Sequence, residues 1–193
     1  AATDNPMVAQ KMELENRVTE LKILRGAWSN EQLSLERKVN TTYPNRIQQY
    51  QRQIEQISQD AALLEQSRDG NFSIVLDGKR YTERPEAGEA LALLYRRISE
   101  GRKKDDYDFE IGTYRGFRLY LSFDPFSAGL VLRGSSRYNT DIGSSGQGAI
   151  TRIENLAERI PSYLTYAQRD LEEVQKQLEA ARQQMGQPFI YEE

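Results

Sequence analysis

Apolar residues recur in alternating steps of three and four at both ends of this chain, and that spacing constrains the fold more than anything between. The C-terminal stripe runs Ile150, Ile153, Ala157, Ile160, Leu164, Ala167, Leu171, Val174, Leu178, Ala181 and Met185 without a slip. Such a stripe is a narrow seam on one side of a long helix, the a/d pattern of coiled-coil packing. The N-terminal arm answers with Leu14, Val18, Leu21, Trp28, Leu35 and Val39, then Ile47, Tyr50, Ile54, Ile57, Ala61 and Leu64. Long polar helices draw their stability from packing an apolar face, so each arm needs a partner. The expected fold class is therefore α+β: a long antiparallel coiled-coil-like helical stalk, with a small head inserted between its arms.

Local signals mark the segments. Asn5-Pro6 is a helix entry, with Asn at N-cap and Pro in the first turn. Gly26 sits inside the first helix at a cost of about 1 kcal/mol relative to Ala. The stretch 40–44 ending in Tyr43-Pro44 predicts a break, because a residue before proline avoids the helical region and Tyr43 is expected to be extended. A second helix is expected from Asn45 to about Gln66, as a hairpin arm or a kinked continuation. Phe72 to Leu76 and Lys79 to Tyr81 read as strands joined by Asp77-Gly78, a strong hairpin signal. Thr82 then caps a helix carrying Pro85, Ala87, Ala90, Leu91, Leu94, Tyr95 and Ile98. A charged loop and four more strands follow, giving a head of order β-β-α-β-β-β-β. The run Gly143 to Gly148 reads as a flexible linker, and Pro161 as a kink or restart in the last arm. The expected divisions are 1–69, 70–149 and 150–193. The ends of the chain read as those of a piece excised from something longer.

Composition narrows the chemistry. Cysteine and histidine are both absent, which removes thiolate chemistry, the commonest general base and the commonest metal ligand. No elbow surrounds any serine, so nucleophilic catalysis has no visible machinery. A formal net charge of −3 offers no global attraction for nucleic acid or an anionic membrane. No apolar run approaches the roughly 20 residues that span a bilayer. The expectation is a non-enzymatic, cytoplasmic chain with no cofactor, no metal and no membrane partner. Asp105, Asp106, Asp108 and Glu110 lack the spacing of a calcium loop. The glycine-rich run 143–148 lacks the Lys-Ser/Thr of a phosphate-binding loop.

One segment does suggest contact with nucleic acid. In Ile111-Gly112-Thr113-Tyr114-Arg115-Gly116-Phe117-Arg118, two glycines frame a tyrosine and an arginine. A hairpin tip of this kind would present Tyr114 and Arg115 to a phosphate or a base, with Arg118 beside them. Lys103 and Lys104 would touch phosphate. The competing reading is an ordinary turn. Residues 70–149 hold twelve Lys/Arg against eleven Asp/Glu, so only segregated charge would build a nucleic-acid surface. Arg25 and Gln32 fall on seam positions of the first helix and suggest a register-setting polar contact or a partly covered surface.

Several stretches together resemble one region of very large mobile-element proteins. They are Asn5-Pro6 with Lys11, Glu13, Leu14, Val18 and Leu21 to Leu24; Tyr43-Pro44 with Ile47; and Gly78-Lys79-Arg80-Tyr81-Thr82-Glu83 with Ala87-Gly88. Ile111-Gly112 with Tyr114-Arg115-Gly116-Phe117 follows, then Ile150-Thr151-Arg152-Ile153-Glu154-Asn155 and Gln187-Pro188-Phe189. Those proteins, found on phages, plasmids and conjugative elements, carry a Swi/Snf-like superfamily 2 helicase module, often joined to an adenine-specific DNA methyltransferase module. The resembling region lies C-terminal to the helicase lobes. Neither helicase motifs nor the methyltransferase motif occur in this chain, so the resemblance carries over no catalytic residue. It implies a non-catalytic accessory domain that positions the motor or docks other modules. Its partners would be the remainder of that polypeptide and, through the head, duplex DNA. A target-recognition-like head and an oligomerisation coiled coil are the alternatives, and the spacing leaves the oligomeric state open.

Overall fold

The computed structural model describes residues 6–190, so the expected cap at Asn5 lies outside the described residues. The class is α+β, as the spacing predicts. Helix α1 spans Pro6–Arg37, α2 Tyr43–Glu65, α3 Arg84–Gly101 and α4 Gly146–Gln184. Strands β1 (Ile74–Leu76) and β2 (Lys79–Tyr81) precede α3; β3 (Asp108–Tyr114), β4 (Phe117–Phe123), β5 (Ala128–Arg133) and β6 (Arg137–Asp141) follow it. The chain forms two compact units, one from residues up to Gln49 together with those from Asp170, the other from Tyr50–Arg169.

In the first unit the heptad seam of α1 meets the end of α4 in antiparallel sense. Leu35 and Val39 are buried with Leu178 and Ala181, flanked by Tyr43 and Ile47. One turn of helix earlier, Gln32 receives a hydrogen bond from the Gly186 N–H at 2.7 Å and donates to the Gln184 carbonyl at 3.4 Å. Gln32 thus caps the C-terminus of α4, where Gly186 adopts φ +80°. Trp28 donates to the Gln187 carbonyl at 3.2 Å and meets the Phe189 ring edge-on at 5.9 Å. The polar seam position Gln32 is therefore a register contact.

The expected break at 40–44 is absent. A π-helical turn, Lys38–Thr42, carries the helix through, and Tyr43 is helical at φ −70°, ψ −43° instead of extended. The Tyr43 N–H bonds Lys38 O, one residue further back than in an α-helix. This wider turn accommodates Pro44, which has no N–H to give. Packing of Val39, Tyr43 and Ile47 on α4 outweighs the local preference of a residue before proline.

In the second unit a six-stranded antiparallel sheet has the order β2-β1-β3-β4-β5-β6. Phe117, Leu119, Leu121 and Phe123 of β4 alternate onto the buried face, with Leu130 and Leu132 of β5 beside them. That face packs on Leu91 and Leu94 of α3, Ile57 and Leu64 of α2, and Ile150, Ile153 and Ile160 of α4. Asp77-Gly78 and Arg115-Gly116 are both two-residue turns with positive φ at each residue, 49° and 78°, then 48° and 85°, as type I′ hairpins require. Gly112 marks a bulge in β3, and any Cβ there would collide with the Val75 carbonyl on β1.

Two other local expectations give way to packing. Thr82 does not cap α3; the N-cap is Glu83, with no side-chain bond, and Pro85 lies in the first turn. The run 143–148 is not a free linker. Ser145 caps α4, its Oγ accepting from Gly148 N–H at 3.0 Å. Gly146 lies against the Gly88 carbonyl of α3, so close that a side chain at either glycine would clash. Pro161 neither kinks into a new element nor restarts one, for α4 runs unbroken around it. Ile160 and Ala157 are fully buried there, and that burial outweighs one lost backbone hydrogen bond.

Candidate functional site: charged surfaces of the sheet unit

Tyr114 and Arg115 stand at the β3–β4 hairpin, but they face inward. Tyr114 is buried, and burial pushes its phenol above the usual range. Arg115 is 14 % exposed. Its guanidinium donates to the Leu64 carbonyl, Ser67 Oγ and Glu158 Oε1, each at 2.8 Å. It caps the end of α2, whose last carbonyls have no helical donor, and the left-handed φ of the turn aims it there. The expectation of an arginine presented at an exposed tip is corrected: the hairpin is a clamp on α2.

Around this clamp lies a polar cleft of about 410 Å³. Arg68, Arg80, Arg84 and Arg115 line it against Glu154 and Glu158. Arg84 makes a bidentate pair with Glu154 at 2.7–3.1 Å and lies over the Phe72 ring at 4.7 Å. Arg68 reaches Glu65 only at 3.4 Å. Arg80 is exposed and has no hydrogen-bond or ion-pair partner among the described residues. The cleft therefore retains a positive edge suited to an acidic side chain, while its inner arginines are committed to structure.

Arg118 lies on the opposite, solvent face of the sheet. The registers Arg118↔Arg133 and Arg133↔Arg137 set three arginines in one row across β4, β5 and β6. Arg118 forms a fork with Glu110 at 2.7–2.8 Å, and Arg137 one with Asp108 at 2.7–3.2 Å. These bonds hold both carboxyls below the ordinary carboxylate range. The acidic cluster of the sequence is thus half occupied by arginines, and Asp106 accepts the Lys103 N–H at 3.1 Å. Arg133 sits between the two pairs with no ion-pair partner of its own among the described residues. Lys103 and Lys104 are exposed in the loop before β3, at the far end of that strand from Tyr114. A seven-residue strand covers about 20 Å, so the five sequence-derived residues fall on separate surfaces.

Sequence reasoning missed the most unusual polar group. Asp60, 1 % exposed, accepts from the N–H groups of Ser135 (2.6 Å) and Ser136 (2.9 Å) and from the Tyr138 hydroxyl (2.7 Å). Its oxygen lies so close to Gly134 that only glycine fits. Burial, then the bond to Asp60, raises the Tyr138 phenol far above its usual range. All these groups are donors to a fixed carboxylate, an arrangement that pins the β5–β6 turn to α2. Asp60 falls beside Ile57, Ala61 and Leu64 on the helical stripe, and that position was its only signal.

No described helix is long and apolar enough to cross a membrane. No protein-family model matches the chain, and no curated protein or solved structure matches it.

Proposed function

We propose that this chain is a non-catalytic docking and positioning module of a larger DNA-handling protein, of the helicase and methyltransferase kind it resembles. The observation that carries the reading is on α1. Trp28, Gln32, Leu35 and Val39 are packed by the end of α4, while every residue from 6 to 20 on the same heptad frame is exposed. A helix left unpacked over that length is marginal in water, and its exposed apolar row suits a binding face. The charged side chains of the sheet unit support the same reading, because Arg84, Arg115 and Asp60 clamp its elements together. The test is an assay of the purified chain with duplex DNA for ATP hydrolysis and adenine methylation. Turnover clearly above buffer would overturn it.

A second reading, direct DNA contact by the sheet unit, is favoured by one observation: Arg133 lies without an ion pair among the described residues, within the arginine row of the solvent face. Duplex binding that weakens steeply with salt, and is lost in Arg133→Glu, would support it. Binding unchanged by that substitution would remove it.

A further inference from the structure

We propose that the uncovered seam of α1 pairs with the same seam of a second copy of this chain, antiparallel and in one register. This deepens the docking reading and rests on it. The seam continues an interface the chain already makes. Counting from Val39 toward the N-terminus by fours and threes gives Leu35, Gln32, Trp28, Arg25, Leu21, Val18, Leu14 and Lys11 without a slip. The first three of these after Val39 are engaged with α4 or its C-terminal extension. Beyond Trp28 the row goes on but α4 does not, its last helical residue being Gln184 opposite Gln32. Leu14 is 64 % and Val18 48 % exposed.

Charge selects the occupant's direction and register. In a parallel in-register pair, Lys11 would oppose Lys11 and Arg25 would oppose Arg25 within the seam, and like charges there are unfavourable. An antiparallel pair that sets Val18 against Leu14 brings Glu15 against Glu15 on its flank. Sliding it one heptad sets Val18 against Leu21, with Leu14 under the aliphatic stem of Arg25. In that register Glu15 faces Lys22 of the other copy, and symmetry makes the contact twice. Glu15 has only an exposed pair with Lys11 at 3.7 Å to exchange for it. The partner helix then lies along residues 14 to 25 and stops short of Trp28, which the extension of α4 already engages.

Sedimentation of the full 193-residue chain tests this. The mass is expected to rise with concentration from 22.2 kDa toward twice that value. Val18→Asp is expected to weaken the dimer at least about tenfold, as is Glu15→Lys, while Glu15→Lys with Lys22→Glu restores it. The charge exchange keeps the test sound if Val18→Asp merely frays the helix. A strict monomer at near-millimolar concentration overturns the proposal, and so does a dimer indifferent to Val18→Asp or unrestored by the double exchange. A monomer without ATPase or methyltransferase activity removes self-pairing and leaves the non-catalytic reading standing. A dimer that turns over ATP does the reverse.

Discussion

Replacing Asp60 strikes the least redundant contact of the sheet unit. The carboxylate accepts from Ser135 N–H, Ser136 N–H and the Tyr138 hydroxyl in a site 1 % exposed. Each buried donor stripped of its acceptor costs about 1–3 kcal/mol. Only Tyr138 is buried, Ser136 being half-buried and Ser135 exposed to water, and a charge no longer has to be buried, which leaves about 2–5 kcal/mol for Asp60→Ala. Asp60→Asn keeps the shape, but its NH2 group must face Ser136 N–H and Tyr138 O–H if its oxygen stays on Ser135. About 2–4 kcal/mol is expected there. Tyr138→Phe removes one donor and leaves the carboxylate two, for about 1–2 kcal/mol. Because the Asn NH2 group can give the Tyr138 oxygen only a neutral hydrogen bond in place of the charge-assisted one, the double variant should lose about 1 kcal/mol less than the sum. Urea unfolding by circular dichroism, with amide exchange in β5 and β6 as the local probe, measures all three. An Asp60→Asn protein within about 0.5 kcal/mol of the parent, the range of an ordinary surface change, would refute the assignment.

Three further outcomes follow from the geometry. Gly112→Ala should cost about 1–3 kcal/mol or more through collision with the Val75 carbonyl, whereas Gly26→Ala, with open space around it, should add about 1 kcal/mol; thermal unfolding compares them. Arg115→Ala should destabilise by about 1–3 kcal/mol through loss of the α2 cap while leaving any duplex affinity unchanged in a binding titration. The Arg137 bond lowers the Asp108 pKa in the folded state, so its contribution is complete above the unfolded value of about 3.9 and is lost as pH falls through the folded value. The Tm gap between the parent and Arg137→Gln should therefore close as pH is taken from neutral to acid, and a constant gap would count against the pair.

What could be read from the chain beforehand was local. The heptad rows, the Asp77-Gly78 hairpin and the alternation of β4 each depend on neighbours a few residues away, and the structure has all three. Pro44 and Pro161 read as breaks because their backbone chemistry is local too. What overrides them, the packing of Val39 and Tyr43 on Leu178 and the burial of Ile160, joins residues far apart in sequence. The run Ser144-Ser145-Gly146 has a linker's composition, and only its approach to Gly88 reveals a helix start. Arg115 stands out in the sequence between two glycines, but the direction of its side chain depends on the end of α2, some fifty residues away. Asp60 gives only its place on the apolar stripe and the Arg84–Glu154 fork gives no sign, because a lone charge on a helix reads as solvated until its partners are placed.

Amide hydrogen exchange along α1 tests the central claim most directly. Residues 28–39, packed by α4, should be protected at every concentration, since protection follows local packing. Residues 11–25 should exchange quickly in dilute solution and slow down as the chain is concentrated, with Val18→Asp abolishing the change. Uniform protection along α1 in dilute solution, or fast exchange of residues 11–25 at every concentration, would contradict a docking face on that half of the helix.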